Sequence, residues 1–286
     1  METKNFKLGF HLVALLDVLG QRDRFRGLRL PRNGEQEAQV KEVLRQTAGF
    51  VLDLRRVFQN QFEIFEKGVG EWAGVLREKP LRPDFVGFSD SFVTSVPLRN
   101  EGGDLVPVIL VFSALSAAAV VMLTSLASKH PLRGGIDVGL ATGIGPREIY
   151  GTALERAYLL EHNVAQYPRI VIGDGLSDYL NSVLAQFETS EAGVAKAITA
   201  ITRKIMGLIT TDTDENKVLD CLGNVVLENA DPDTGKIMVQ PAYEFALTEQ
   251  DRVAATGDAK LIGRYASLRS YFEWRLSLWG IPVGKS

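Results

Sequence analysis

The chain has 286 residues, of which 45% are hydrophobic and 23% charged, with a formal net charge of -3. That is enough apolar material for a full core, which excludes a disordered chain, and the basic residues are too dispersed for a broad nucleic-acid surface. Cys221 is the only cysteine, which excludes an internal disulfide and a cysteine-based zinc site.

A reducing compartment, and so a cytoplasmic location, is the expectation; the first five residues lack the basic-then-apolar order of a secretory signal. Residues 6–19 are rich in apolar and β-forming side chains over the length of a strand, and Gly20 ends them with a turn signal. Arg22, Arg24, Arg26, Arg29 and Arg32 follow, reading as a solvated loop or a local anion contact. Over residues 35–66 apolar side chains recur at helical spacing, predicting one long helix or two with a break near Gly49. Residues 85–96 read as two short strands with Ser89, Asp90 and Ser91 as the turn between them.

Residues 105–128 carry no charge and are long enough to span a bilayer. Their wealth of Ala and Ser, the opening Pro107 and the strand candidate that follows favour a buried helix, with no membrane as partner. Residues 134–139 read as a strand, 152–164 as a helix and 169–172 as a further strand. The order describes an α+β fold, an antiparallel sheet covered by helices on one face, which a ferredoxin-like core with extensions satisfies. Residues 1–180 would form this unit. Residues 181–286 would form an extension packed on the same domain, with a hairpin around 211–216 and a helix over 249–279.

Asp17 and Asp90 are each set inside an apolar run. An ionised carboxylate in such surroundings is costly unless something positive sits against it, and a metal ion is the simplest partner. Two aspartates on neighbouring strands make a hard-oxygen site suited to magnesium or manganese, and such sites act on phosphate groups. His11, His130 and His162 share no ligand spacing and read as structural.

Three stretches, in order, resemble the class III nucleotide cyclases. Phe10 to Gly20 is similar to that family's first metal-binding strand, and Gly87-Phe88-Ser89-Asp90-Ser91-Phe92 to the hairpin carrying its second metal aspartate. Arg133-Gly134-Gly135-Ile136, with the helix that starts at Gly151 and runs through Arg156 to Glu161, resembles its later strand and helix. The Phe-Ser-Asp-Ser hairpin and this helix bring the chain nearest to the bacterial pyrimidine cyclases of anti-phage defence, the Pycsar cyclases.

The resemblance implies two divalent ions, manganese or magnesium, held by Asp17, Asp90 and the carbonyl of Val18. It implies phosphate contacts from Leu19 and Gly20, and nucleotide contacts from Arg133 and Tyr150. The position of the family's purine-reading residue, four before Asp90, holds Val86, and its partner position holds Glu148. That departure favours a pyrimidine, with UTP to cyclic UMP ahead of CTP to cyclic CMP. The helix positions of the family's transition-state Asn and Arg hold Glu155 and Leu159, leaving Arg156 as the candidate cation. A homodimer with composite sites is implied, Trp274, Trp279 and Phe272 serving either its interface or the core. A separate effector would read the product as a second messenger. A catalytically degenerate module that binds nucleotide remains the alternative.

Overall fold

Alternation along the first strand decides the layout of the molecule. The structure is a computed structural model that describes residues 9–68, 83–98, 108–145 and 148–283. In β1 (Gly9–Val18), Leu12, Ala14, Leu16 and Val18 enter the main core, while Val13 and Leu15 face a smaller apolar cluster on the other side. A strand buried on both faces reads as a continuous apolar run, as this one does.

The short α1 (Gln21–Arg26) leads to α2 (Gly34–Gly68), then to β2 (Asp84–Phe88) and β3 (Ser91–Pro97). After α3 (Val108–Ala127) come β4 (Leu132–Gly145), β5 (Glu148–Tyr150) and α4 (Thr152–Leu159), the last running into a π-helical turn at Leu160–Val164.

 The β6 strand (Ile170–Ile172) precedes α5 (Asp174–Phe187) and α6 (Gly193–Met206), and the chain closes with β7 (Ile209–Thr211), β8 (Lys217–Leu219), α7 (Asn224–Glu228), α8 (Gln240–Ala254) and α9 (Ala259–Arg275). The sheet order is β2-β3-β1-β4-β6-β8-β7, with β5 pairing β4.

This is the expected α+β sheet covered by helices, with two departures. The sheet is mixed: β6 runs parallel to β4, Gly134 standing opposite Ile170. A parallel neighbour needs a crossover, and α4 (Thr152–Leu159) is that crossover. Helices therefore cover both faces, α2 and α3 on one side and α4 on the other. The hairpin β7–β8 joins the same sheet, Val218 pairing Val171, so the last third of the chain shares the core of the first two.

Gly49 does not break α2. Val51, Leu54, Phe58 and Phe62 all bury against the core, which outweighs the roughly 1 kcal/mol that a helical glycine costs. The helix expected over 249–279 is in fact two. Gly257 takes φ +69° and the Asp258 carboxylate accepts from the Lys260 and Leu261 amides at 3.0 and 3.1 Å, so α9 starts afresh in a new direction. Phe272 is fully buried and the Trp279 indole donates to the Leu222 carbonyl at 2.9 Å, so both serve the core, whereas Trp274 is 53% exposed.

α3 is long and apolar enough to cross a membrane, yet 89% of its most apolar stretch is buried inside the fold. Ala114, Ala117 and Ala118 are fully enclosed and let α2, α6 and α8 pack closely on it. Pro107, at the start of the charge-free stretch, lies outside the described residues.

Candidate functional site

β1 lies between β3 and β4, so Asp17 stands opposite Ser91 on one side and Arg133 on the other. Asp90 occupies the turn joining β2 to β3, where Ser89 takes φ +53°. The Asp90 carbonyl accepts from the Val18 amide at 3.2 Å, tying that turn to the end of β1. The Ser91 hydroxyl donates to Asp17 Oδ1 at 2.6 Å. Two carboxylates thus reach the same end of neighbouring strands. Immediately beyond, the Leu19 amide donates to the Pro131 carbonyl at 2.8 Å, and Gly20 turns the chain at φ +83° into α1. Among the described residues nothing crowds Gly20; its backbone conformation is what favours glycine.

A cleft of about 1230 Å³ opens at this place, lined by Asp17, Val18, Leu19 and Gly20 on one side and by Asp90 and Ser91 beside them. Arg133 and Tyr150 line it as well, so seven of the eight residues singled out in the sequence share one cavity. Tyr150 is 68% exposed and stands at the rim.

Arg156 is the exception. Its guanidinium donates to the Val138 carbonyl at 3.2 Å, facing Asp137 and the start of α5, and it does not line the cleft. The reason is helical phase: Glu155, Tyr158 and His162 occupy the face of α4 and its π-helical turn that looks into the cavity, and Arg156 lies off that face. Val86 packs against the smaller apolar cluster and Glu148 is exposed; neither lines the cleft.

Electrostatics centre on Arg133, whose Nε lies 2.5 Å from Glu161 Oε1 and 3.8 Å from Asp17 Oδ2. The shorter contact is an ion pair rather than an aligned hydrogen bond. Burial pushes the Glu161 carboxyl above its usual range; Arg133 opposes that and Asp17 adds to it. A carboxyl with a raised folded-state pKa stabilises the fold fully below its unfolded value and loses that contribution as pH rises through the folded value. Glu161→Gln, which does not titrate, should therefore gain stability relative to the native chain as pH climbs from about 4.5 toward neutrality. Urea midpoints of both proteins across that range check it, and a pH-independent difference would contradict it.

Several cleft residues escaped the sequence reading. Tyr158 and His162 stack with ring centroids 5.4 Å apart on one wall, so His162 is placed at the cavity rather than in the core. Arg26 brings one member of the arginine-rich segment to the cleft. Gln21 is 1% exposed, with neither amide atom hydrogen-bonded, and Arg264 of α9 has a buried Nε without a partner. A buried polar group left unsatisfied costs about 1–3 kcal/mol. Glu161 had a signal, since it ends the helix motif, and Gln21 directly follows the Gly20 turn. Arg264 had none, because its position depends on the path of α9.

The donors at the end of β1 are oxygens: the Asp17 and Asp90 carboxylates and the backbone. Among the described residues no group of three or more His, Cys, Asp or Glu gathers to hold a metal ion. Two carboxylates fit magnesium or manganese nonetheless, because such ions keep water and take further oxygens from a bound phosphate rather than from a protein cage.

No protein-family model and no curated protein sequence matches the chain. Among solved structures it is similar to a class III adenylyl cyclase-like ATP-binding protein from Pseudomonas aeruginosa, at 16% identity and a TM-score of 0.39, over 70% of this chain and 40% of that one. The chain thus spans well under half of that protein's length, and a superposition this loose carries no argument about function.

Proposed function

We propose that the protein is a nucleotidyl cyclase acting on a pyrimidine nucleoside triphosphate, UTP ahead of CTP. In this reaction the ribose 3′-oxygen bonds to the α-phosphorus of the same molecule, the α–β anhydride breaks, pyrophosphate leaves and the hydroxyl proton is released. The observation that carries the reading is the meeting of Asp17 and Asp90, from two strands, in one cleft with the Gly20 turn, Arg133 and Tyr150. The motif resemblance supplies the reaction class.

Asp17 and Asp90, with the Val18 carbonyl, would hold two divalent ions, which lower the pKa of a bound hydroxyl and offset phosphate charge. The chain's own residues do the remaining work. The ring closure is intramolecular, so positioning is the main demand. Gly20 would bring backbone N–H to the phosphates, the Leu19 amide being held by the Pro131 carbonyl and so not offered to them, and Ser91 holds Asp17 in place through its hydroxyl. Arg133 is steadied by Glu161 and donates to the nucleotide from there. Tyr150 at the rim and the Tyr158–His162 stack offer flat surfaces to a single-ring base. The enzyme would act as a homodimer, in which Arg156, exposed on α4, serves the partner's nucleotide. Its cyclic product would be read by a separate effector in antiviral defence.

Incubating the purified chain with each of the four ribonucleoside triphosphates and manganese, then separating the products, tests the reading. Cyclic UMP or cyclic CMP is the expected product. Cyclic product from ATP or GTP alone would overturn the pyrimidine assignment, and none from any of the four would favour the binding module.

A further inference from the structure

The nucleotide reading leaves part of the cleft without a task. Its walls carry Asp17, Asp90, Glu155 and Glu161, so an anionic ligand needs cations that these acids have not already engaged. Arg133 is paired with Glu161 and lies near Asp17. Arg264 is different: among the described residues no carboxylate lies within ion-pair distance of it, and its buried Nε has no acceptor. Arginine stays charged and presents a planar fork of donors that suits phosphate oxygens. Gln21 adds an enclosed carboxamide, 1% exposed, whose donor and acceptor are both unsatisfied in the same cavity. Native structures leave few buried polar groups unpaired, so their meeting in one cleft, from opposite ends of the chain, points to a ligand.

We propose that Arg264 and Gln21 form a polyphosphate subsite, so that α9 is part of the nucleotide site and not a cap on the fold. The proposal rests on the nucleotide reading and assigns its phosphate chain to these two side chains. Arg264 donates to phosphate oxygens; the Gln21 amide donates to a neighbouring one and its carbonyl accepts from a ligand hydroxyl or bound water. The base and ribose are left to the Tyr150 side of the cleft.

Titration calorimetry with inorganic tripolyphosphate and with UTP, on the full chain, tests this. Arg264→Met is expected to weaken both ligands by about tenfold or more, Gln21→Leu by a smaller factor, and Arg264→Lys to recover part of the loss. Equal binding of both ligands by native protein and Arg264→Met overturns the subsite and leaves the nucleotide reading standing. Native protein that binds tripolyphosphate but not UTP, with the Arg264→Met loss intact, supports the subsite and sinks the nucleotide reading. Native protein that binds neither sinks both. Should Arg264→Met fail to fold, hydrogen exchange on the native chain decides: tripolyphosphate should slow exchange over residues 259–275, and no protection there overturns the proposal.

Discussion

Asp17→Asn is expected to reduce cyclic nucleotide formation by about 10³-fold or more while leaving the chain folded. The substitution is nearly isosteric and keeps an oxygen that can accept from the Ser91 hydroxyl, so the strand end retains its local bond. What it removes is the charge that faces the cleft. Arg133 still has Glu161 as its closer partner, 2.5 Å away, so Arg133 is not left without a carboxylate. Loss of Asp17 also removes a like charge that raises the Glu161 pKa, which eases that buried carboxyl's ionisation. The melting temperature should accordingly stay within about 2 °C of the native value. Product formation from UTP with manganese, measured beside a melting curve, separates the two effects. A variant retaining more than about a tenth of native turnover would remove Asp17 from the chemistry.

Gly135→Ala should destabilise the protein by about 3 kcal/mol or more. A Cβ at that position would lie 2.1 Å from the Ala157 carbonyl oxygen, 2.8 Å from Leu160 Cβ and 2.9 Å from the Glu161 amide. These obstructions are backbone or rooted in it, so α4 and its π-helical turn must lift off β4. The lift would carry Glu161 away from Arg133 as well, coupling a packing defect to the electrostatics of the cleft. Gly143→Ala is the matched control, because among the described residues an added Cβ there meets only the Glu148 carbonyl, at 3.9 Å. Urea denaturation of both variants reads the difference, and a Gly135→Ala midpoint equal to that of Gly143→Ala would refute the close approach.

The parts of this molecule that could be read in advance are those set by local pattern. The apolar run of β1, the helical spacing of α2, the polar turn at Asp90 and the charge-free α3 each announced themselves. Asp17 and Asp90 were visible because a carboxylate inside an apolar run violates the expected patterning. The parallel β4–β6 pair was not, since an antiparallel and a parallel neighbour have the same strand composition. The split between α8 and α9 turned on one cap, Asp258, inside a continuous helical pattern. Arg156 lies off the cleft-facing side by a single step around the helix, about 100° of rotation, which spacing alone does not orient. Gln21 and Arg264 show the limit most clearly: their importance lies in bonds they do not make inside the chain.

The burial of α3 has a consequence for how the protein is made. One of the helices that cover it, α8, begins at Gln240, far downstream of Ala127. At ordinary elongation rates of roughly 5–20 residues per second, α3 leaves the ribosome on the order of ten seconds before α8 does. Through that interval the nascent chain displays a twenty-residue apolar helix of the length that membrane-insertion machinery accepts. Folding of this protein is therefore a race between completing its own cover, which α2 begins and α8 adds to late, and being taken up by a chaperone or a membrane.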